Sequence, residues 1–147
     1  MLSLYSDETF MKEAFKQAQY ALEEGEIPIG AVVVCNNKIL ARAYNQTEKL
    51  NDVTAHAEML AITAAANNLG NKYLHDCTLY VTVEPCPMCA GALNWSQLKR
   101  VVYATPDAKR GYRKFGNLLH PKTELETGIM QHECADLMSS FFQNKRK

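Results

Sequence analysis

Two short segments constrain this chain more than any other feature. One reads T-A-H-A-E and ends at Glu58, and the other reads P-C-P-M-C and ends at Cys89. Between them, His56, Cys86 and Cys89 offer one imidazole and two thiols. A catalytic zinc site uses three protein ligands of these kinds and keeps its fourth position for water. Glu58 is a carboxylate that can exchange a proton with that water. We therefore predict one open zinc site per chain.

The local pattern places these residues at the starts of two helices. Apolar spacing and end signals predict helices over residues 7–24, 54–69, 87–96 and 131–143, and strands over 29–35, 38–44, 78–83, 100–104 and 125–129. His56 and Glu58 then fall in the first turn of the second helix, and Cys86 and Cys89 at the start of the third. Positions i and i+3 share a helix face, and a helix N-terminus stabilises thiolates. Alternating helices and strands predict a layered α/β domain over residues 1–147, with a mostly parallel sheet.

Composition bounds the setting. The sixteen Lys and Arg residues balance sixteen Asp and Glu residues, so no overall basic field favours nucleic acid. Local basic clusters lie at residues 99–100, 109–114 and 145–147. Five cysteines without a secretory signal at Met1–Leu4 predict reduced thiols and a cytoplasmic location. No apolar run approaches the roughly 20 residues of a membrane span, so no membrane association is expected.

H-x-E followed by P-C-x-x-C is the known signature of zinc-dependent nucleobase deaminases. The wider sequence resembles bacterial tRNA adenosine deaminases, which convert the wobble adenosine of an anticodon to inosine. The similarity is carried by E-I-P-I-G-A from Glu26, T-L-Y-V-T-V-E-P-C from Thr78, M-C-A-G-A-L from Met88, and D-A-K from Asp107. It implies a cytidine-deaminase-like, three-layer α/β/α fold with a five-stranded mixed sheet. It also implies a homodimer that acts on the tRNA anticodon stem-loop.

The resemblance assigns roles to individual residues. His56, Cys86 and Cys89 match the zinc ligands, and Glu58 matches the catalytic acid and base. Further positions match residues that contact the substrate nucleotide or its backbone: Asn45, Ala57, Pro85, Ile29, Val83, Asp107 and Lys109.

Two alternatives remain open at this level. Pro87 and Trp95 resemble guanine deaminases, so a free nucleobase or nucleoside is the second candidate substrate. A structural zinc site in an RNA-binding protein without chemistry would need a fourth ligand, and the candidates for it are His75, Cys77, His120 and His132.

Apolar surroundings predict buried, inert thiols at Cys35, Cys77 and Cys134. Trp95, Phe141 and Phe142 are expected in the core or in an interface.

Overall fold

The computed structural model describes residues 5–145. Two parts of the sequence lie outside the described residues: the Met1–Leu4 segment, and Arg146 and Lys147 of the basic cluster at residues 145–147.

Helices and strands alternate along most of the chain. The helices are α1 (Asp7–Glu23), α2 (Ala57–Leu69), α3 (Pro87–Ser96) and α4 (Gln131–Lys145), with a short 3₁₀ helix at Tyr112–Phe115. The strands are β1 (Gly30–Cys35), β2 (Lys38–Tyr44), β3 (Cys77–Val83), β4 (Arg100–Thr105) and β5 (Glu124–Thr127). All four predicted helices and all five predicted strands are confirmed, with shifts of a few residues at their ends.

The five strands form one mixed sheet in the order β2-β1-β3-β4-β5. β1 pairs antiparallel with both β2 and β3, whereas β3–β4 and β4–β5 are parallel. The mixed sheet implied by the family resemblance is confirmed. The mostly parallel sheet predicted from element alternation is wrong, because β1 is antiparallel to β3 as well as to β2. The two-residue turn at Asn36 and Asn37 joins β1 and β2 as a hairpin. Both asparagines adopt positive φ, as such a turn requires.

Side-chain alternation along the strands builds two cores, one on each face of the sheet. Ala31 and Val33 point to the face covered by α2 and α3, where Ala57, Ala61 and Leu93 are buried. Val32 and Val34 point to the opposite face, where α1 and α4 contribute a second cluster. The arrangement is the expected α/β/α sandwich, and it directs the starts of α2 and α3 toward the carboxyl end of β3.

One predicted boundary differs for a reason that matters at the site. The second helix begins at Ala57 rather than at Thr54 or Ala55. The Asp52 carboxylate accepts hydrogen bonds of 2.8 Å from both the backbone N–H and the hydroxyl of Thr54, which holds a turn before the helix. His56 is therefore the extended N-cap residue of α2 (φ −76°, ψ 152°) and not part of its first turn.

The burial of several residues also departs from expectation. Trp95 is 82% exposed, so it does not lie in the core, and its place in an interface stays a prediction. Cys35 is only partly buried, whereas Cys77 and Cys134 are fully buried as predicted. Within residues 5–145, none of the helices combines the length and the apolar character needed to cross a membrane.

Candidate metal centre

Two helix N-termini meet at the predicted ligands. His56 is the N-cap of α2 and Cys86 is the N-cap of α3, and both have extended backbones without a side-chain capping bond. Cys89 lies in the first turn of α3 and is fully buried. Because the partial positive charge of a helix N-terminus favours negative groups, both helices stabilise thiolate at this point.

The imidazole nitrogen lies at the distance from each thiol that a tetrahedral zinc ion requires. His56 Nδ1 lies 3.6 Å from Cys86 Sγ and 3.5 Å from Cys89 Sγ. Ordinary Zn–N and Zn–S bonds at a tetrahedral angle would separate the N and S atoms by about 3.6 Å. Over residues 5–145, these side chains form the one group of three or more potential metal ligands, with all their ligand atoms within 4.8 Å of one another. The site therefore fits zinc.

The candidate fourth ligands lie in other contacts. His75 Nε2 is 2.7 Å from the Gln97 side chain, His120 accepts a hydrogen bond from the backbone of Lys122, and His132 pairs with Asp136. Cys77 faces Cys35 across β1 and β3. In the described part of the chain, the zinc cluster therefore has three protein ligands, as a catalytic site does.

The two thiols titrate very differently from each other. The pKa of Cys86 is lowered to about 4, chiefly by a hydrogen bond from Cys89 and also by one from His56. The same Cys86–Cys89 bond, together with burial, raises the pKa of Cys89. His56 has a raised pKa, first because of its hydrogen bond to Cys86, and the positive charge of Arg110 opposes this shift. The surroundings thus favour the thiolate form of Cys86.

Glu58 brings a buried carboxyl to the cluster. Its side chain is 3% exposed, and its Oε1 has no hydrogen-bond partner in the described residues. Burial raises the pKa of Glu58 to about 7, and the thiolate of Cys86 adds to this effect. A buried polar atom without a partner is costly and is therefore uncommon outside functional sites. The free oxygen is placed to accept a hydrogen bond from a ligand or water at the metal.

Comparison with known proteins agrees with this site. The family profile for the cytidine and deoxycytidylate deaminase zinc-binding region matches residues 4–105. The tRNA-specific adenosine deaminase of Bacillus subtilis is 46% identical over 147 residues, which cover 96% of this chain and 91% of that protein. The chain belongs to the tRNA-specific adenosine deaminase family. It is a zinc-dependent deaminase with a cytidine-deaminase-like fold.

Two solved structures extend the comparison. One comes from a study of A-to-I editing by tRNA:A34 deaminases at the wobble position. It is 39% identical with a TM-score of 0.81, covering 87% of this chain and 97% of the other. The guanine deaminase of Bacillus subtilis is 41% identical with a TM-score of 0.67, covering 76% of this chain and 71% of the other. The likeness to the tRNA enzyme therefore extends over more of both chains.

Asn45 has a structural role in this deaminase that the sequence did not reveal. Its Oδ1 accepts a 2.8 Å hydrogen bond from the backbone N–H of Ala57, and Asn45 is 3% exposed. That N–H is one of those left without a partner at the start of α2. The Asn45 backbone N–H also binds the carbonyl of Ile29. These contacts bring Ile29, Asn45 and Ala57 together and hold His56 beside them.

The remaining predicted substrate residues lie on the β3 side of the centre. Val83, 2% exposed, ends β3 and pairs with Thr105 of β4. The carbonyl of Pro85 accepts a bond from the backbone of Tyr112. Asp107 and Lys109 share the loop after β4, where Asp107 Oδ1 accepts from the backbone N–H of Lys109 and of Arg110.

Two buried carboxylates that flank the centre had not been singled out from the sequence. Glu26, 1% exposed, accepts from the backbone N–H groups of Glu48 and Lys49 and so binds the loop that leads to His56. Glu84, 7% exposed, binds the loop after β4. For Glu84, the sequence signal that could have identified it was an acidic residue directly before Pro85 at the end of an apolar strand.

Proposed function

We propose that this chain deaminates the wobble adenosine of tRNA to inosine by hydrolysis. The observation that carries the proposal is the buried Glu58 oxygen without a partner beside a three-ligand zinc cluster, in a chain that matches tRNA-specific adenosine deaminases over nearly its whole length. The reaction consumes adenosine and water and releases inosine and ammonia.

His56, Cys86 and Cys89 would hold the zinc ion. When bound, zinc supplies a water that ionises near neutral pH, since its pKa falls to about 7. Glu58 takes a proton from the attacking water and gives it to N1 of adenine, while the water oxygen adds at C6. Glu58 then takes the remaining proton from the hydroxyl at C6 and passes it to the amino group, so the C6–N bond breaks, ammonia leaves and the C6 carbonyl of inosine forms. Because one buried carboxyl makes both transfers, its unpaired oxygen must stay available to the substrate.

The substrate contacts are proposed by position. Ile29, Asn45, Ala57, Val83 and Pro85 surround the target base on the two sides of the zinc. Asp107 and Lys109 contact the nucleotide and the RNA backbone from the loop after β4. A base in a single-stranded anticodon loop can leave its stack at lower cost than one in a duplex, which favours this substrate.

The assembly and setting are also proposed. Residues 1–147 act as one domain, and two copies form a homodimer. Trp95 and Met88 are exposed and seven residues apart on α3, so they share one helix face that is available for such contact. The five unpaired cysteines and the tRNA substrate favour the cytoplasm.

Inosine formation tests the proposal directly. The zinc-loaded chain is incubated with an anticodon stem-loop carrying adenosine at the wobble position, and ammonia release from free guanine is measured with the same preparation. We expect inosine from the RNA and no ammonia from guanine. A stem-loop with guanosine at the wobble position is the control. Rapid guanine turnover without inosine would replace the proposal by guanine deamination, the reading that Pro87 and Trp95 favour.

A further inference from the structure

The Glu84 carboxylate joins the metal-binding segment to the loop after β4. Its Oε1 accepts a 3.0 Å bond from the backbone N–H of Asp107, and its Oε2 accepts a 3.0 Å bond from the backbone N–H of Arg113. The residue is 7% exposed and lies two positions before the ligand Cys86. One buried carboxylate thus holds both ends of the segment from Asp107 to Arg113.

Main-chain contacts reinforce this connection. The Glu84 N–H donates to the carbonyl of Thr105 at 2.8 Å, and the Tyr112 N–H donates to the carbonyl of Pro85 at 2.9 Å. Gly111 packs directly on the carboxylate, since a Cβ at this position would lie 2.1 Å from Glu84 Oε2. The loop therefore packs against Glu84 in this way only when residue 111 has no side chain, as in glycine.

The loop held by Glu84 carries two exposed cations, Lys109 and Arg110. Arg113 donates to the hydroxyl of Tyr103, and Lys114 donates to the carbonyl of Lys109, so both of these cations are engaged. Lys109 and Arg110 are exposed, and among residues 5–145 no hydrogen bond or ion pair is observed for either side chain.

We propose that Glu84 is a positioning residue that sets the affinity for RNA by holding Lys109 and Arg110 against phosphates flanking the target nucleotide. The inference rests on the proposed function. A carboxylate suits this task because both of its oxygens accept bonds from the loop. In Glu84→Gln one oxygen is replaced by an amide N–H₂, which faces a backbone N–H and cannot accept from it.

The test is a double-mutant cycle on RNA binding. All variants carry Glu58→Gln to prevent turnover, and a fluorescently labelled anticodon stem-loop is titrated by anisotropy at several salt concentrations. Glu84→Gln should weaken binding roughly five- to thirtyfold, as expected for two lost charge–phosphate contacts. The slope of log affinity against log salt concentration should also become shallower by about 1.4, which is about 0.7 for each lost phosphate contact to a single strand. Zinc content should stay at one ion per chain.

The decisive measurement repeats Glu84→Gln in a background that carries Lys109→Ala and Arg110→Ala. If Glu84 acts through these cations, its substitution has no further effect there. Glu26→Gln is the matched control, because it changes another buried carboxylate that binds two backbone N–H groups of a different loop. Its effect on affinity should be equal in both backgrounds.

Gly111→Ala provides a second route to the same loop and keeps the test valid if Glu84→Gln folds poorly. It should show the same dependence on Lys109 and Arg110. An equal loss of affinity in both backgrounds, or an unchanged salt dependence, would overturn the inference. Failure of the parent chain to bind the stem-loop or to form inosine would instead refute the proposed function.

Discussion

Replacing Glu58 by Gln tests the proposed chemistry most directly. Glutamine preserves the size of the side chain but cannot take a proton from water and return it to the base. General acid and base catalysis contributes about 10²- to 10⁴-fold, which corresponds to roughly 2.7–5.4 kcal/mol of transition-state stabilisation. Since one carboxyl makes every transfer in the proposed reaction, we expect the loss in kcat to reach at least the lower of these limits.

The same substitution should not weaken the fold. Glu58 is 3% exposed and one of its oxygens has no partner in the described residues, so its charge is buried at a cost. A neutral amide of equal size removes that charge. We expect the metal-free variant to be about 1 kcal/mol more stable near neutral pH, which raises Tm by about 2–4 °C for a chain of this size.

The assay combines single-turnover inosine formation, zinc analysis and thermal unfolding on the same preparations. The expected result is a zinc-replete variant that is nearly inactive and at least as stable as the parent. A zinc-replete variant with turnover within tenfold of the parent would refute the role of Glu58 in proton transfer. Loss of zinc would show that Glu58 is a ligand rather than a proton carrier.

Three further predictions concern the framework of the site. Asn45→Ala should lower the free energy of unfolding by about 1 kcal/mol, because it removes the hydrogen bond at the start of α2. It should also weaken zinc binding roughly tenfold or more in a chelator competition, because His56 is released. Asn45→Asp keeps the acceptor and should restore both the stability and the zinc affinity. Asp7 accepts two bonds from Arg100, which lower the pKa of its carboxyl below the ordinary 3.8. Its contribution to the free energy of unfolding is therefore complete above pH 3.8, and it is lost as the pH falls through the lower pKa of the folded state. Asp7→Asn should therefore cost about 1–3 kcal/mol near pH 7 in urea unfolding, and this cost should shrink as the pH falls through the lowered pKa of Asp7. Gly30→Ala should lower the free energy of unfolding by at least about 1–3 kcal/mol, because its Cβ would lie 2.1 Å from a backbone oxygen of α1. Gly91→Ala lies in open space within α3 and should raise the free energy of unfolding by about 1 kcal/mol in the same measurement.

Local signals located the helices and strands but not their arrangement. Helix α3 has the predicted ends, because Pro87 is suited to the first turn and the apolar run that follows is continuous. Strand direction depends on pairings between distant segments, and the antiparallel β1–β3 pair was therefore missed. Trp95 is mostly exposed although tryptophan usually contributes to burial, since residue type alone does not tell which face of a helix meets the sheet.

The sequence by itself was enough to predict the candidate ligands and the candidate proton carrier. His56, Cys86, Cys89 and Glu58 lie in two short motifs whose chemistry and spacing predict an open zinc site, and the structure brings the three ligand side chains together. Only the tertiary structure decided what holds that site in place. Asn45 reaches Ala57 across a loop, and Glu84 binds backbone N–H groups more than twenty residues away. A side-chain bond to a backbone N–H requires no particular residue type at the donor position, so such contacts leave no pattern in the sequence.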